Sequence, residues 1–316
     1  MNENFLNSKA QNPVNQVCET PILFLVFNRP DVTKKVFDRI REAKPKYLFI
    51  AADGPRVDRP ADIYKCQEVR EIVTLVDWDC EVKTMFRKDN IGCGKGVSHA
   101  ITWFFQYVDS GIILEDDCLP SSSFFFFASE LLTHYCDNPK VMGITGFNGQ
   151  DGRKRGSASY YFSQYPGIWG WATWKDRWGK FDYEGGYLKA YLDEKKIKYT
   201  SKNPQVKNSI LKSFSKIGKN NSWGYAWRLT VFYHQGLICV PNQNLISNIG
   251  FSSDDATHTN GGNQLADLPL DELGFPLSHP EKMKADLKAD DYLMEKFLDI
   301  KWKDKLKAKL YQTLHI

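Results

Sequence analysis

With 316 residues, 42% of them hydrophobic and 14% aromatic, the chain has apolar material for one large α/β domain or two modest ones, which sets global disorder aside. A net charge of +4 suits an anionic small ligand or a negative membrane surface, and is too weak to point to nucleic acid. The seven cysteines are odd in number and include no C-x-x-C pair, which argues against a secreted disulfide framework or zinc ribbon and fits a reducing cytoplasm.

Residues 1–20 are polar and rich in Asn and Gln; they lack the apolar core of a signal peptide and read as a loose leader. No run approaches the length of a membrane-spanning helix. The apolar run 22–27, ended by Asn28-Arg29-Pro30, reads as a buried parallel strand. Asp31 is placed to cap a helix in which Val32, Val36, Phe37 and Ile40 fall at helical spacing. A second strand, Tyr47–Ala52, stops at Asp53-Gly54-Pro55, and a helix around 61–76 leads to a third strand, Glu81–Phe86. A glycine-rich turn, 90–96, opens a helix over 97–108. It delivers the chain to a strand over 111–114 and then to Glu115-Asp116-Asp117. Strand and helix thus alternate through the first 117 residues, which predicts a doubly wound, mostly parallel sheet. Ligands of such sheets bind at the carboxyl ends of strands. Asn28-Arg29, Asp53 and Glu115 to Asp117 stand at three such ends.

The second half mixes short strands, glycines and tryptophans over 141–183, becomes helical and Lys-rich over 187–217, and has a strand-like run at 237–247. Residues 250–264 are small and polar, as a mobile loop would be. The tail from Lys301 is a basic amphipathic helix with Trp302, Leu306, Leu310 and Leu314 on one face. Such a helix either docks on its own domain or lies on anionic lipid.

The acidic triplet carries the most chemistry. Crowded carboxylates repel and raise one another's pKa unless a cation neutralises them. A hard Mg²⁺ or Mn²⁺ ion shared with a diphosphate would do so. Gly92, Gly94 and Gly96 with Lys95 suggest a phosphate cradle at a helix N-terminus, yet match neither the P-loop spacing nor the position of a dinucleotide fingerprint. Trp169, Trp171, Trp174 and Trp178 follow Tyr160, Tyr161, Phe162 and Tyr165; about half are expected in the core and the rest stacked on sugar rings. Gly170 leaves a bare backbone where a ligand can approach.

The ILEDD stretch, followed by a proline and a phenylalanine run, resembles the acidic signature of GT-A glycosyltransferases. Within them it is most similar to the N-acetylglucosaminyltransferase I-like group and its bacterial nucleotide-diphospho-sugar transferases. The resemblance spans roughly residues 20–280 and is carried also by FNRPDVTKKVFDRI, AADGPR, NIGCGKGVSHAITWFF, YFSQYPGIWGWATW and PNQNLISNIGFSSDDATHT.

The resemblance implies a GT-A fold with a nucleotide-sugar-binding half at 21–140 and an acceptor-binding half at 141–290 with a lid at 250–264; a basic C-terminal helix at 291–316 follows. The resemblance also implies inverting, metal-dependent transfer from a UDP-sugar to a hydroxyl acceptor in bacterial surface-glycan synthesis. The acceptor would be a glycan or lipid-linked glycan, with the cytoplasmic chain peripheral at the inner membrane. By the same resemblance Asp117 binds Mn²⁺ or Mg²⁺, Asp116 contacts the ribose, and Glu115 supports both. Asp53 accepts a hydrogen bond from uracil, Arg29 faces the diphosphate, Trp171 lies beside the donor sugar, and the lid brings His258 to the diphosphate or metal; Lys95, in the glycine-rich turn, stands as a further diphosphate contact by its position alone.

The base that deprotonates the acceptor is expected in a W-D-Y-Q-W-like segment. Here that segment is Trp223-Gly224-Tyr225-Ala226-Trp227, with Gly224 at the acidic position, so Asp254, Asp255 and Asp176 stand as substitutes. Two other readings stay open: a non-catalytic sugar-nucleotide or glycan-binding module, and a sugar nucleotidyltransferase. The latter would want a glycine-rich loop with a lysine near the first strand, which Asn28-Arg29-Pro30 does not supply.

Overall fold

The computed structural model describes residues 18–251 and 265–297. Among these residues the chain is α/β, with a doubly wound, mostly parallel sheet at its centre. The first half alternates β1 (Ile22–Val26), α1 (Pro30–Ala43), β2 (Tyr47–Ala52), α2 (Ala61–Thr74), β3 (Glu81–Phe86), α3 (Gly92–Phe104) and β4 (Ser110–Glu115). Then follow β5 (Cys118–Pro120), α4 (Ser122–His134), β6 (Val141–Thr145), β7 (Tyr160–Ser163), β8 (Trp171–Trp174) and α5 (Lys175–Trp178). After α6 (Tyr187–Asp193), a 3₁₀ turn and α7 (Pro204–Phe214) come α8 (Gly224–Tyr233), β9 (Leu237–Pro241), β10 (Ile246–Asn248) and α9 (Leu287–Phe297).

The eight-stranded sheet has the order β3-β2-β1-β4-β8-β6-β9-β7. Strands β1 to β4 are parallel; β8 runs against β4 and β6, and β7 against β9. Alternation along each central strand divides its side chains between two cores. Ile22, Phe24 and Val26 of β1, with Leu48 and Ile50 of β2 and Ile112 and Leu114 of β4, pack under α1, α2 and α4. Leu23, Leu25, Phe49 and Ile113 face the other way, against Ile101 and Phe104 of α3 and Trp227 of α8. Both faces are therefore covered, and the polar residues of these strands are confined to their ends. A smaller cluster joins α6, α7, α8 and Met294 of α9. Among the described residues no helix is long and apolar enough to cross a membrane.

Three local expectations are corrected. Asp31 does not cap α1: Arg29 holds the N-cap position without a side-chain cap bond, and Pro30 opens the helix because its fixed φ suits N1. Asp31 lies in the first turn, where the helix dipole favours an acid. The glycine-rich turn is not a prelude to α3 but its first turn, starting at Gly92 (φ 81°). The run 237–247 is two strands, since β10 leaves the main sheet and pairs antiparallel with β5 beside the acidic triplet. Residues 1–17 of the leader, 252–264 of the lid and the basic tail from 298 lie outside the described residues; Cys18, at the end of the leader, is buried.

The aromatic segment is almost all core. Tyr160, Tyr161, Phe162, Tyr165, Trp171, Trp174 and Trp178 are buried, and Trp169 packs partly buried against the first core. Gly170 has φ 58°, and a Cβ there would lie 2.3 Å from Ile246 Cδ1. Glycine is required by its left-handed backbone and by β10, so ligand approach is not needed to explain it. Gly170→Ala should destabilise the fold by about 2–4 kcal/mol, combining left-handed strain with overpacking. In chemical denaturation, Ile246→Val in the double variant should recover part of the loss. An unchanged midpoint for Gly170→Ala would show that the contact is not there.

Candidate active site

The carboxyl ends of β1 to β4 open into one cleft with about 160 Å³ of water-accessible space. This is where open α/β sheets hold their ligands, because strand ends expose backbone and polar turns that the covered faces cannot. Asn28 and Arg29 reach it from β1, Asp53 and Arg56 from β2, Arg87 from β3, and Glu115 and Asp116 from β4. The N-terminal turn of α3, with Gly92, Cys93 and Gly96, forms a further wall.

Arg29 spans the end of the sheet. Its Nη2 donates to Asp116 Oδ1, and its Nη1 lies 3.0 Å from Asp117 Oδ2. Burial opposes the Arg29 charge, but Asp116 and Asp117 hold the guanidinium firmly protonated. Asp116 is buried and its Oδ2 has no hydrogen-bond partner. Burial raises the pKa of Asp116, with Arg29 opposing and Asp117 adding to the rise. Burial also raises Glu115, helped by Asp117 and Asp116 and opposed by Arg29. Three consecutive acids thus face one guanidinium, an excess of negative charge that a divalent cation would balance.

Among the described residues no group of three or more His, Cys, Asp or Glu side chains forms a closed metal cage. The orphaned Asp116 Oδ2 and the neighbouring Asp117 fit a different kind of site. One or two carboxylates hold a hard ion, and phosphate and water complete its shell.

Gly250, just after β10, lies over this cluster. A Cβ there would sit 2.3 Å from Asp117 Oδ2 and 2.6 Å from Arg29 Nη1. Ile249 N–H donates to the Asp117 carbonyl at 2.9 Å, so the β5–β10 pair fixes the approach.

Asp53 is more occupied than its turn sequence implies. Its carboxylate accepts from Gly54 N at 3.0 Å, Ile91 N at 3.2 Å and Gly92 N at 3.0 Å. It therefore ties the end of β2 to the start of α3, satisfying donors that a helix leaves unpaired. Burial raises its pKa against these three N–H bonds and the pull of Arg87. Gly96 completes the fit, since a Cβ there would lie 3.3 Å from Asp53 Oδ2.

Arg56 makes a paired contact to Asp62, Nε–Oδ2 2.6 Å and Nη2–Oδ1 2.9 Å, and Asn28 Nδ2 donates to the same carboxylate at 2.8 Å. Asn221, just before α8, lines the cleft and accepts from Gly94 N at 2.8 Å.

The structure brings Arg29, Asp53, Glu115, Asp116 and Asp117 to one end of the sheet. It does not bring three others. Lys95 is exposed on the outer side of α3 and does not line the cleft. Trp171 is buried in a tryptophan cluster, its ring 5.6 Å from Trp227 and 5.7 Å from Trp223. Asp176 lies at the opposite end of the sheet, because β8 is antiparallel to β4 and Trp174 pairs with Ser110; there it holds Arg177 at 2.6 Å. Asp254, Asp255 and His258 lie outside the described residues.

Sequence reasoning missed Arg56, Arg87 and Asn221. The first two end strands as Arg29 does, a pattern visible in AADGPR and MFRK; Asn221 comes from 127 residues beyond Gly94 and has no local signal. Cys93 also lines the cleft, but burial first and the acidic triplet second push its thiol up to about 12, which keeps it unreactive.

No family model and no curated protein matches the chain. Solved structures do match, at low similarity. A UDP-glucose pyrophosphorylase complexed with UDP-glucose shows 11% identity and a TM-score of 0.35, over 70% of this chain and 90% of that one. Mouse xyloside xylosyltransferase 1 shows 11% identity and a TM-score of 0.33, over 70% and 84%. The 4-diphosphocytidyl-2C-methyl-D-erythritol synthase of Anaerococcus prevotii DSM 20548 shows 7% and 0.31, over 56% and 78%. These values carry no inference about function.

Asp62 gives the site's frame a pH signature. Its two partners hold its pKa near 2, below the ordinary 3.8, chiefly through Arg56. A depressed folded-state pKa stabilises above the unfolded value and is lost as pH falls through the folded one. The pair should contribute about 2 kcal/mol above pH ~4 that vanishes towards pH ~2. Asp62→Asn should flatten this acid limb in denaturation followed from pH 6 to pH 2; an unaltered limb would remove the pair from the account.

Proposed function

We propose that the chain is a metal-dependent glycosyltransferase of the GT-A type that moves a sugar from a UDP-sugar to a hydroxyl acceptor with inversion. The observation that carries the reading is the Arg29 bridge across Asp116 and Asp117, set at the mouth of a cleft whose far wall is the N-terminus of α3. A nucleoside diphosphate offers what both sides want: anionic oxygens for the guanidinium and the helix end, and a shared ligand for a cation.

In this reading Arg29 turns from the acids to the diphosphate, which its planar fork suits. Asp117 holds the ion, with Asp116 beside it. A bound divalent cation would neutralise charge on the departing diphosphate. The N-terminus of α3, its first amides held by Asp53 and Asn221, adds the positive end of a helix dipole, and Arg87 stands at the same rim. Val97, Ala100 and Met85 give the cleft an apolar floor on which a base ring can lie. Asp53 fixes the turn and, in this reading, meets a base N–H by sharing a carboxylate oxygen with the turn amides.

The division proposed with this function places the donor half at 21–140 and the acceptor half at 141–290, with a glycan or lipid-linked glycan as acceptor. Asp254 and Asp255 remain the candidates for the base; the position of Asp176 argues against it. The second reading, a chain that binds the donor without transfer, is favoured by position 224. The resemblance expects an acid there, and Gly224 instead packs its bare carbon toward Ile168 Cδ1, 3.0 Å from where a Cβ would be. A nucleotidyltransferase is disfavoured by the β1–α1 turn, in which arginine and proline replace a glycine-rich loop.

Release of free nucleotide from a panel of UDP- and GDP-sugars, with Mn²⁺ or EDTA, decides among these. The expected result is metal-dependent UDP release from one donor, lowered about a hundredfold or more by Asp117→Ala. UDP binding without release, acceptors supplied, would establish the binding-only reading.

A further inference from the structure

The glycine-rich turn that starts α3 seats one side chain from the far half of the chain. Asn221, three residues before α8, accepts from Gly94 N at 2.8 Å. A Cβ on Gly92 would lie 2.7 Å from both Oδ1 and Nδ2 of Asn221, and one on Gly94 would lie 3.2 Å from Oδ1. Both glycines are therefore bare where the amide rests on them, and Gly92 also has a φ of 81°. The Gly94 N–H fixes which way the amide is turned, because only its oxygen can accept. Among the described residues the Nδ2 has no acceptor, while Asn221 is exposed and lines the cleft. An amide pinned by its oxygen at a cavity wall is preorganised to donate to a ligand.

The neighbour across Gly92 narrows what that ligand group is. Asp53 Oδ2 accepts from Gly92 N at 3.0 Å. The Asp53 carboxylate and the Asn221 amide thus meet the same residue, and the bonds of Gly92 put them no more than about 8 Å apart. One planar ring hydrogen-bonded at two adjacent positions covers that span, since each bond takes about 3 Å. The wall offers an acceptor beside a donor, so its complement is a ring edge with an N–H next to a carbonyl. Val97, Ala100 and Met85 supply the apolar floor for the ring face. Uracil carries such an edge on both sides of its ring N–H. Cytosine and adenine present a bare nitrogen there, which leaves the carboxylate without a donor.

We propose that Asn221 is a specificity-determining residue for the nucleobase: its Nδ2 donates to the ring carbonyl next to the N–H that Asp53 accepts. This rests on the donor-nucleotide reading above and extends it, because it brings a residue from the second half of the chain into recognition of the base.

The test measures binding of UDP, 2-thio-UDP, 4-thio-UDP and 3-methyl-UDP to the full chain by calorimetry with Mn²⁺ present. Sulfur is a weak acceptor, so one of the two thio-nucleotides should bind about fivefold to tenfold more weakly than UDP. That penalty should disappear in Asn221→Ala. It should disappear also in Asn221→Asp, which keeps the side-chain size and an oxygen for Gly94. The charge added by Asn221→Asp acts on UDP and its thio forms alike, so the ratio between them still reports the bond. A thio penalty that neither variant changes, or no penalty in the unsubstituted chain, would overturn the role of Asn221. Methylation of N3 removes the N–H offered to Asp53, and 3-methyl-UDP bound as tightly as UDP would overturn the shared edge. No binding of any of the four would sink the donor reading and this role with it. UDP bound and 3-methyl-UDP rejected, with thio penalties untouched by either variant, would sink the role of Asn221 alone.

Discussion

Like charge crowded at the end of a buried strand sets the terms for the cleft end of the sheet. Glu115, Asp116 and Asp117 follow four fully buried residues of β4, so the strand holds the acids where water cannot fully solvate them. Arg29 answers them from β1, which is the strand next to β4 in the sheet. That adjacency exists because β1 and β4 are parallel neighbours, a consequence of the crossover through β2, α2, β3 and α3. The turn after β1 is equally constrained: Pro30 starts α1, which leaves Arg29 at the helix entrance with its side chain free to cross the sheet end. Gly250 then has to be bare, because the ion pair already fills the space a Cβ would take.

The same economy appears on the opposite wall. A helix starting with Gly92 leaves amide groups without partners, and Asp53 takes those of Ile91 and Gly92. A carboxylate used in this way is structural before it is functional. It fixes the distance between the β2 end and the α3 end, and so the width of the cleft, whatever ligand lies there.

How far this was legible in the sequence depends on the range of the interaction. Strands β1, β2 and β4 were readable because uninterrupted apolar runs specify buried parallel strands without reference to anything distant, whereas β3, a largely exposed edge strand, was readable only from the turns that bound it. The cluster at their ends was readable for the same reason, since a polar residue directly after such a run has to lie at a strand end. Asn221 was not, because its contact with Gly94 depends on how α8 docks, and docking is a tertiary event with no periodicity to betray it. The tryptophan segment failed in the other direction. Aromatics serve cores and sugar sites alike, and only the sheet order decides that Trp171, opposite Ile113 on β8, faces α3 and α8 inside the molecule. Asp176 failed by one reversal: had β8 run parallel to β4, the residue would have ended at the cleft.

These failures share a cause that bears on the chemistry. The cleft end of β1 to β4 is built from strands contiguous in sequence, so its logic is local. The second half is built around α8, whose Trp227 closes the core under the sheet while the segment just before it brings Asn221 to the cleft. One helix therefore couples packing of the core to the placement of a polar group at the cleft. A change at its buried face, such as loss of the Trp227 ring, would shift Asn221 against Gly94, because the turn that carries Asn221 leads directly into the packed helix. The cleft and the core beneath it are in that sense one mechanical unit.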